Sequence, residues 1–193
     1  ISLTLAERGA DVVIADLQSD PREGGEPTHE RIDSEFDGTS RYVECDVTER
    51  ADLEAAVDAA EALGGITIMV NNAGISRTED FLDISEGQFE RMMEINTKGP
   101  LLGSQVAADR MVEAGREGSI VNIASISGVT GRATGVHYCA SKGAVRLMTY
   151  AMAAALGPHG IRANAVCPGF VETSMTREDL DMFGEDRRAL ETY

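Results

Sequence analysis

The stretch Ile66-Thr67-Ile68-Met69-Val70-Asn71-Asn72-Ala73-Gly74, ITIMVNNAG, decides how this chain is read. A short run dominated by apolar residues ends on two asparagines and two of the smallest residues. Such a run has the length and composition of a strand buried in a parallel sheet. In open parallel sheets, ligands bind beyond the carboxyl ends of the strands. Ala73 and Gly74 would let a planar ligand lie close to the backbone there.

The same unit recurs on both sides. Upstream, residues 1–8 read as the back half of a helix, with Gly9 as its left-handed cap. Residues 11–16 (DVVIAD) are a short strand closing on an acid, and residues 19–28 (SDPREGGEPT) are loop. A strand over 41–47 follows, then a helix with Ala51, Leu53, Ala56, Val57 and Ala60 on its inner side, stopped by Gly64-Gly65. Downstream come a long helix over 85–114, a strand over 119–124, a helix over 138–156 and a last strand over 161–167. This alternation predicts an α/β fold, a doubly wound Rossmann-type parallel sheet covered on both faces, as a single domain over 1–193.

The bulk numbers exclude several function classes. With 33 acidic and 17 basic residues the net charge is −16. Phosphate binding needs a basic face, so no nucleic-acid partner is expected. No apolar run is long enough to cross a bilayer, so no membrane partner is expected either. The acid surplus suits a heavily solvated surface in high salt. Cys45, Cys139 and Cys167 lack any C-x-x-C, and His29, His137 and His159 lack metal-ligand spacing. The expectation is buried thiols of a reducing compartment, no metal site and a cytoplasmic location.

The chemistry begins at Tyr138 and Lys142, two residues four apart on a helix and therefore on one face. Lys142 is one of only two lysines in the chain, the other being Lys98. An ammonium beside a phenol favours the phenolate, which makes a tyrosine a usable general acid/base. No Asp or Glu occurs from 118 to 171, so no carboxylate from that stretch neutralises the pair. Ser125 ends a strand, where a hydroxyl can donate to a carbonyl oxygen as charge develops; Ser127 is a nearby rival. Pro100 leaves the carbonyl of Asn96 without its helical donor. Asp16 could take both hydroxyls of an adenosine ribose and repel a 2′-phosphate, and Asp46-Val47 could meet an adenine edge. The last strand leaves through Cys167-Pro168-Gly169.

In this order, with 13 residues from Ser125 to Tyr138, these features resemble the short-chain dehydrogenase/reductase family along essentially the whole chain. The resemblance implies a catalytic set of Asn96, Ser125, Tyr138 and Lys142. In it, Tyr138 transfers the proton, Ser125 polarises the substrate oxygen, Lys142 holds the nicotinamide ribose and the Asn96 carbonyl keeps a water in the proton relay. Asp16, Leu17, Asp46, Val47, Asn72, Ala73, Gly74, Pro168, Gly169, Val171 and Thr173, with Tyr138 and Lys142, would bind the cofactor, with NAD expected over NADP. The implied activity interconverts a secondary alcohol and a ketone, with 3-oxoacyl groups or sugars and polyols as the leading substrate classes. Ile75, Thr130, Gly131, Thr134 and Phe170 would border the pocket, and residues 173–193 would cover it. The apolar 138–156 helix and the one before it imply a homo-oligomer, a dimer or tetramer.

The family's glycine-rich phosphate turn and first strand have no counterpart here, nor have its last helix and strand. The first strand would be central, between those ending at Asp16 and Val70. The competing expectations are an inactive cofactor-binding scaffold, and a serine hydrolase using Ser125 and His137, which lacks the G-x-S-x-G elbow.

Overall fold

The computed structural model describes residues 1–22, 24–171 and 173. Among the described residues, five parallel strands alternate with six α-helices: α1 (Ser2–Glu7), β1 (Val12–Asp16), α2 (Thr28–Glu35), β2 (Ser40–Glu44), α3 (Arg50–Glu61), β3 (Ile68–Asn71), α4 (Glu86–Met93), α5 (Gly99–Glu113), β4 (Gly118–Ile123), α6 (Val136–Leu156) and β5 (Ile161–Val166). Helix α2, sequence THERIDSE, lies just beyond the expected 19–28 loop and was not expected. It buries only Ile32 and is otherwise polar, so it has almost no apolar periodicity to read.

The strands form two sheets. β1 pairs with β2, Val12 opposite Ser40 and Asp16 opposite Glu44. β4 is central in the other sheet, with Ile68 opposite Ser119 on one side and Gly118 opposite Ile161 on the other. β1 and β3 share no ladder. A slot of about 750 Å³ lies between them, walled by Val12–Asp16 and by the run from Ile66 to Ala73. This is where the resemblance puts a further central strand.

The helices α1 and α2 pack beside β1 and β2 around Ala6, Val12 and Ile32. A larger core joins Cys45, Leu53 and Val57 to Val106, Met111, Ile120 and Ile161, tying α3 and α5 to the three-stranded sheet. In α3 the inner face is Leu53, Ala56 and Val57; Ala51, expected there, is exposed at the first turn. The expected double cover is only partly present among the described residues. Ile120 and Asn122 of β4 are fully buried, whereas Ile68 and Val166 on the neighbouring strands stay exposed. No described helix is long and apolar enough to cross a membrane.

The helix expected over 85–114 is broken by one wide π turn, Glu94–Lys98. It starts on a capping box, Ser85 with Gln88. Pro100 cannot donate to the Asn96 carbonyl, and the Gly99 N–H reaches back to Glu94 instead, a five-residue step. π turns of this kind concentrate at functional sites. Here it carries Asn96.

Candidate active site

A cleft of about 1450 Å³ gathers the strand ends. Asp16 and Leu17 follow β1, Asp46 and Val47 follow β2, and Asn72, Ala73 and Gly74 follow β3. Ser125 follows β4, and Pro168, Gly169, Val171 and Thr173 follow β5, while α6 adds Tyr138 and Lys142. Residues from Asp16 to Thr173 thus share one wall system, which also runs along the sheet to Gly118 and Arg162 near the amino ends of β4 and β5.

Helix α6 begins after Gly135, whose left-handed φ of 70° only glycine adopts without strain. Its first turn presents Tyr138 and its second Lys142. The ammonium lies 5.9 Å from the centre of the Tyr138 ring, and the Arg132 guanidinium lies 5.2 Å from it. Lys142 is only 5% exposed and donates from Nζ to the Ile123 carbonyl at 2.8 Å. Among the described residues no carboxylate bonds to it. Burial lowers its pKa to about 8, so it keeps its charge near neutrality. The structure thus sets a buried ammonium, with no carboxylate bonded to it among the described residues, beside the Tyr138 ring.

Ser125 is buried at the mouth of β4, and its Oγ accepts the Ser127 N–H at 3.1 Å. That turn contact uses an oxygen lone pair and leaves the hydroxyl proton to be donated. Asn96 contacts the site through its side chain. Its Oδ1 accepts from Ile75 N at 2.8 Å and its Nδ2 donates to Ile75 O at 2.9 Å. A side chain at Gly74 would press on Asn96 Oδ1 at 3.2 Å and Lys142 Nζ at 3.4 Å, so a glycine keeps this floor open.

At the other end of the cleft, the Asp16 main chain is held by Tyr42 Oη at 3.1 Å and Cys45 N at 2.9 Å. Its carboxylate is exposed and makes no hydrogen bond among the described residues. Asp46 differs. Its Oδ1 accepts from Thr48 N at 2.9 Å and Thr48 Oγ1 at 2.8 Å, which holds the carboxyl below the usual range. One oxygen expected at an adenine edge is therefore committed to a turn.

The comparisons with known proteins agree with this geometry. The family description "short chain dehydrogenase" matches residues 1–182. The chain is 40% identical over 173 residues to 3-alpha-(or 20-beta)-hydroxysteroid dehydrogenase of Mycobacterium bovis, covering 89% of this chain and 64% of that protein. It is 42% identical over 178 residues to trans-4-hydroxycyclohexanecarboxylate dehydrogenase of Sinomonas cyclohexanicum, covering 89% and 67%. The chain belongs to the short-chain dehydrogenase family. A solved gluconate 5-dehydrogenase from Burkholderia cenocepacia, in complex with NADP and tartrate, superposes with a TM-score of 0.82 at 36% identity over 93% of this chain and 69% of that one. A solved short-chain type dehydrogenase/reductase from Mycobacterium marinum gives 0.86 at 36% identity, over 93% and 70%. The chain thus spans under two thirds of the length of the hydroxysteroid relative.

In this family member, the cleft takes in every residue expected to bind a cofactor, and Asn96 joins it from behind Gly74. Of the expected pocket border, Ile75 lines the cleft, while Thr130, Gly131, Thr134 and Phe170 lie outside its wall. The expected cover over 173–193 lies outside the described residues beyond Thr173. Ser76, Arg91 and Ile95 line the cleft unforeseen, since nothing in their local pattern separates them from helix and loop surface. His137 is fully buried with neither ring nitrogen bonded. It makes no pair with Ser125, and the hydrolase expectation falls with it.

Proposed function

We propose that the whole protein is a nicotinamide-dependent oxidoreductase that interconverts a secondary alcohol and a ketone. The observation that supports this best is the pairing of Tyr138 with a buried, charged Lys142 in the cleft that Ser125 also lines. The residues present fit the cofactor. Gly74 and Ala73 give a flat floor, Lys142 a cation, and Asp16 a free strand-end carboxylate. Asp16, Asn72, Ala73, Gly74, Lys142 and Thr173 would hold it, and when bound it supplies or accepts the hydride. Ser125 donates its hydroxyl proton to the substrate oxygen, and Tyr138 gives that oxygen a proton in reduction or takes one in oxidation. Lys142 sets a positive charge beside the Tyr138 ring, and Asn96 holds the cleft floor through Ile75.

Asp16 favours NAD, because a carboxylate repels a 2′-phosphate. Monomers would assemble through α5 and α6, where Leu101, Val112, Leu147 and Tyr150 are exposed apolar groups. The substrate classes to try first are 3-oxoacyl thioesters, sugars and polyols, and cyclic alcohols. The test is oxidation of NADH and NADPH by acetoacetyl-CoA, 5-ketogluconate and 4-oxocyclohexanecarboxylate. Replacing Tyr138 by Phe should lower turnover by about 10²–10⁴-fold while NADH still binds. Turnover that survives this substitution would overturn the reading.

A further inference from the structure

Behind the cleft floor, one serine hydroxyl sits where three segments of the site meet. Ser141 is fully buried on α6, between Tyr138 and Lys142 in space as in sequence. Its Oγ donates to the Tyr138 carbonyl at 2.8 Å, one turn back. The same oxygen accepts from Asn96 Nδ2 at 3.1 Å. The Asn96 amide nitrogen has two protons and three neighbours: Ile75 O at 2.9 Å, Ser141 Oγ at 3.1 Å and Met92 Sδ at 3.0 Å. Thioether sulfur is the weak acceptor, so the two protons go to the two oxygens. Asn96 Oδ1 completes the set by accepting from Ile75 N. A second tie runs beside it, from Thr97 Oγ1 to the Ser141 carbonyl at 3.3 Å.

Apart from the Ser141–Tyr138 bond within α6, the bonds in this chain cross between elements that no ladder joins. Ile75 belongs to the loop after β3, Asn96 to the π turn, and Ser141 to the helix of the catalytic tyrosine. An alanine at 141 would keep the helix, being a better helix former than serine, and would remove only the hydroxyl.

We propose that Ser141 is a positioning residue for the reaction: its hydroxyl, acting through the Asn96 amide, sets the spacing between the Tyr138–Lys142 helix and the loop that floors the cleft. The inference rests on the oxidoreductase reading for its catalytic consequence. Its geometric part is independent of that reading.

The experiment compares Ser141→Ala, Asn96→Ala and the double variant in the whole protein, using NADH and the fastest of the three ketones named above. Ser141→Ala should lower kcat about ten-fold, the effect of roughly one buried hydrogen bond on a barrier. KM for NADH should stay within about two-fold, since no cofactor contact is lost. The double variant should be no slower than Asn96→Ala alone, because the serine acts through the asparagine. Independent losses that multiply would mean that Ser141 serves stability only, and would overturn the proposal.

A second measurement does not need turnover. Amide exchange at Ile75 should speed up about ten-fold in Ser141→Ala as its acceptor loosens; an unchanged rate would also overturn the proposal. Should Ser141→Ala not fold, Ser141→Cys, with a weaker donor and acceptor in similar volume, carries both comparisons. Failure of the oxidoreductase reading would show instead in Tyr138→Phe, which leaves this chain of bonds intact.

Discussion

The two sheets of the molecule solve different problems. Around β3, β4 and β5 the interior contains polar groups that satisfy one another. Asn71 Nδ2 donates to Ser104 Oγ at 3.0 Å and Asn122 Oδ1 at 2.8 Å, and Asn122 Nδ2 donates to Thr149 Oγ1 at 3.0 Å. This line runs from β3 through β4 into α5 and α6, and it bolts the tyrosine helix to the strands. Around β1 and β2 the buried apolar residues are Ala6, Val12 and Ile32, with Leu3, Leu5, Ala10, Ile14 and Phe36 packed against them, and the Asp16 carboxylate stands in solvent at a strand end. On the reading proposed above, proton transfer would need fixed distances, and the elements that would carry it are cross-tied. Recognition of a ribose would need only an accessible carboxylate at the right strand end, for which a lighter scaffold would suffice.

The contrast breaks most directly at Asn122. Asn122→Ala strands one Asn71 donor and takes from the Thr149 hydroxyl the donor it accepts, while that hydroxyl still donates to the Val145 carbonyl. It should cost about 2 kcal/mol, a fall of roughly 4–8 °C in thermal midpoint. Ser40→Ala removes the comparable bonds in the smaller sheet, to His29 O at 2.7 Å and Asp33 Oδ1 at 2.9 Å. It should cost less, about 1 kcal/mol, because the site is nearer solvent. Equal losses in a melting experiment would mean that the two sheets are not differently built.

Asp16→Ala sharpens the other half of the comparison. It should move the preference between the two cofactors toward NADP by on the order of ten-fold, the worth of one charge-assisted contact. The thermal midpoint should hardly move, since no described residue bonds that carboxylate. An unchanged ratio of kcat/KM for NADH and NADPH would detach Asp16 from the ribose.

The smallest effects concern acid. His137 has its pKa lowered below 6.5, first by burial and then by Arg132 and Arg77, with Glu79 opposing. The unfolded chain therefore takes up this proton first, and stability should begin to fall as pH drops below about 6.5. Glu61 is held down to about 2, chiefly by the Arg116 guanidinium at 2.8 and 2.9 Å and by the Ile66 N–H at 3.0 Å. Its contribution is present above the ordinary value of 4.5 and is lost as pH falls from there toward 2. Melting curves against pH should show both limbs, with His137→Gln removing the first and Glu61→Gln the second. A stability that stays flat between pH 7 and 5 would count against a buried neutral imidazole.

Much of this was legible in the residues because the signals are local. Strands β1, β3, β4 and β5 announce themselves as apolar runs bounded by glycine, asparagine or acid, and Tyr138 and Lys142 share a face by helical spacing alone. Pro100 by itself implied a freed Asn96 carbonyl. Helix α2 was not legible, since a polar helix with one buried residue leaves no period to detect. The π turn was not legible either, because the sequence told only that a donor was missing and not where Gly99 would turn for another acceptor.

What the sequence determined by itself was the set of chemical groups and the order of the elements carrying them, since these follow from side-chain type and short-range periodicity. What only the tertiary structure decided was which groups touch. That Ser141 would bridge Asn96 and Tyr138, and that His137 would lie buried with no hydrogen bond to its ring among the described residues, depend on contacts between segments far apart in the chain. Such contacts are set by how parallel strands and their helices pack as a whole, and no local pattern encodes them.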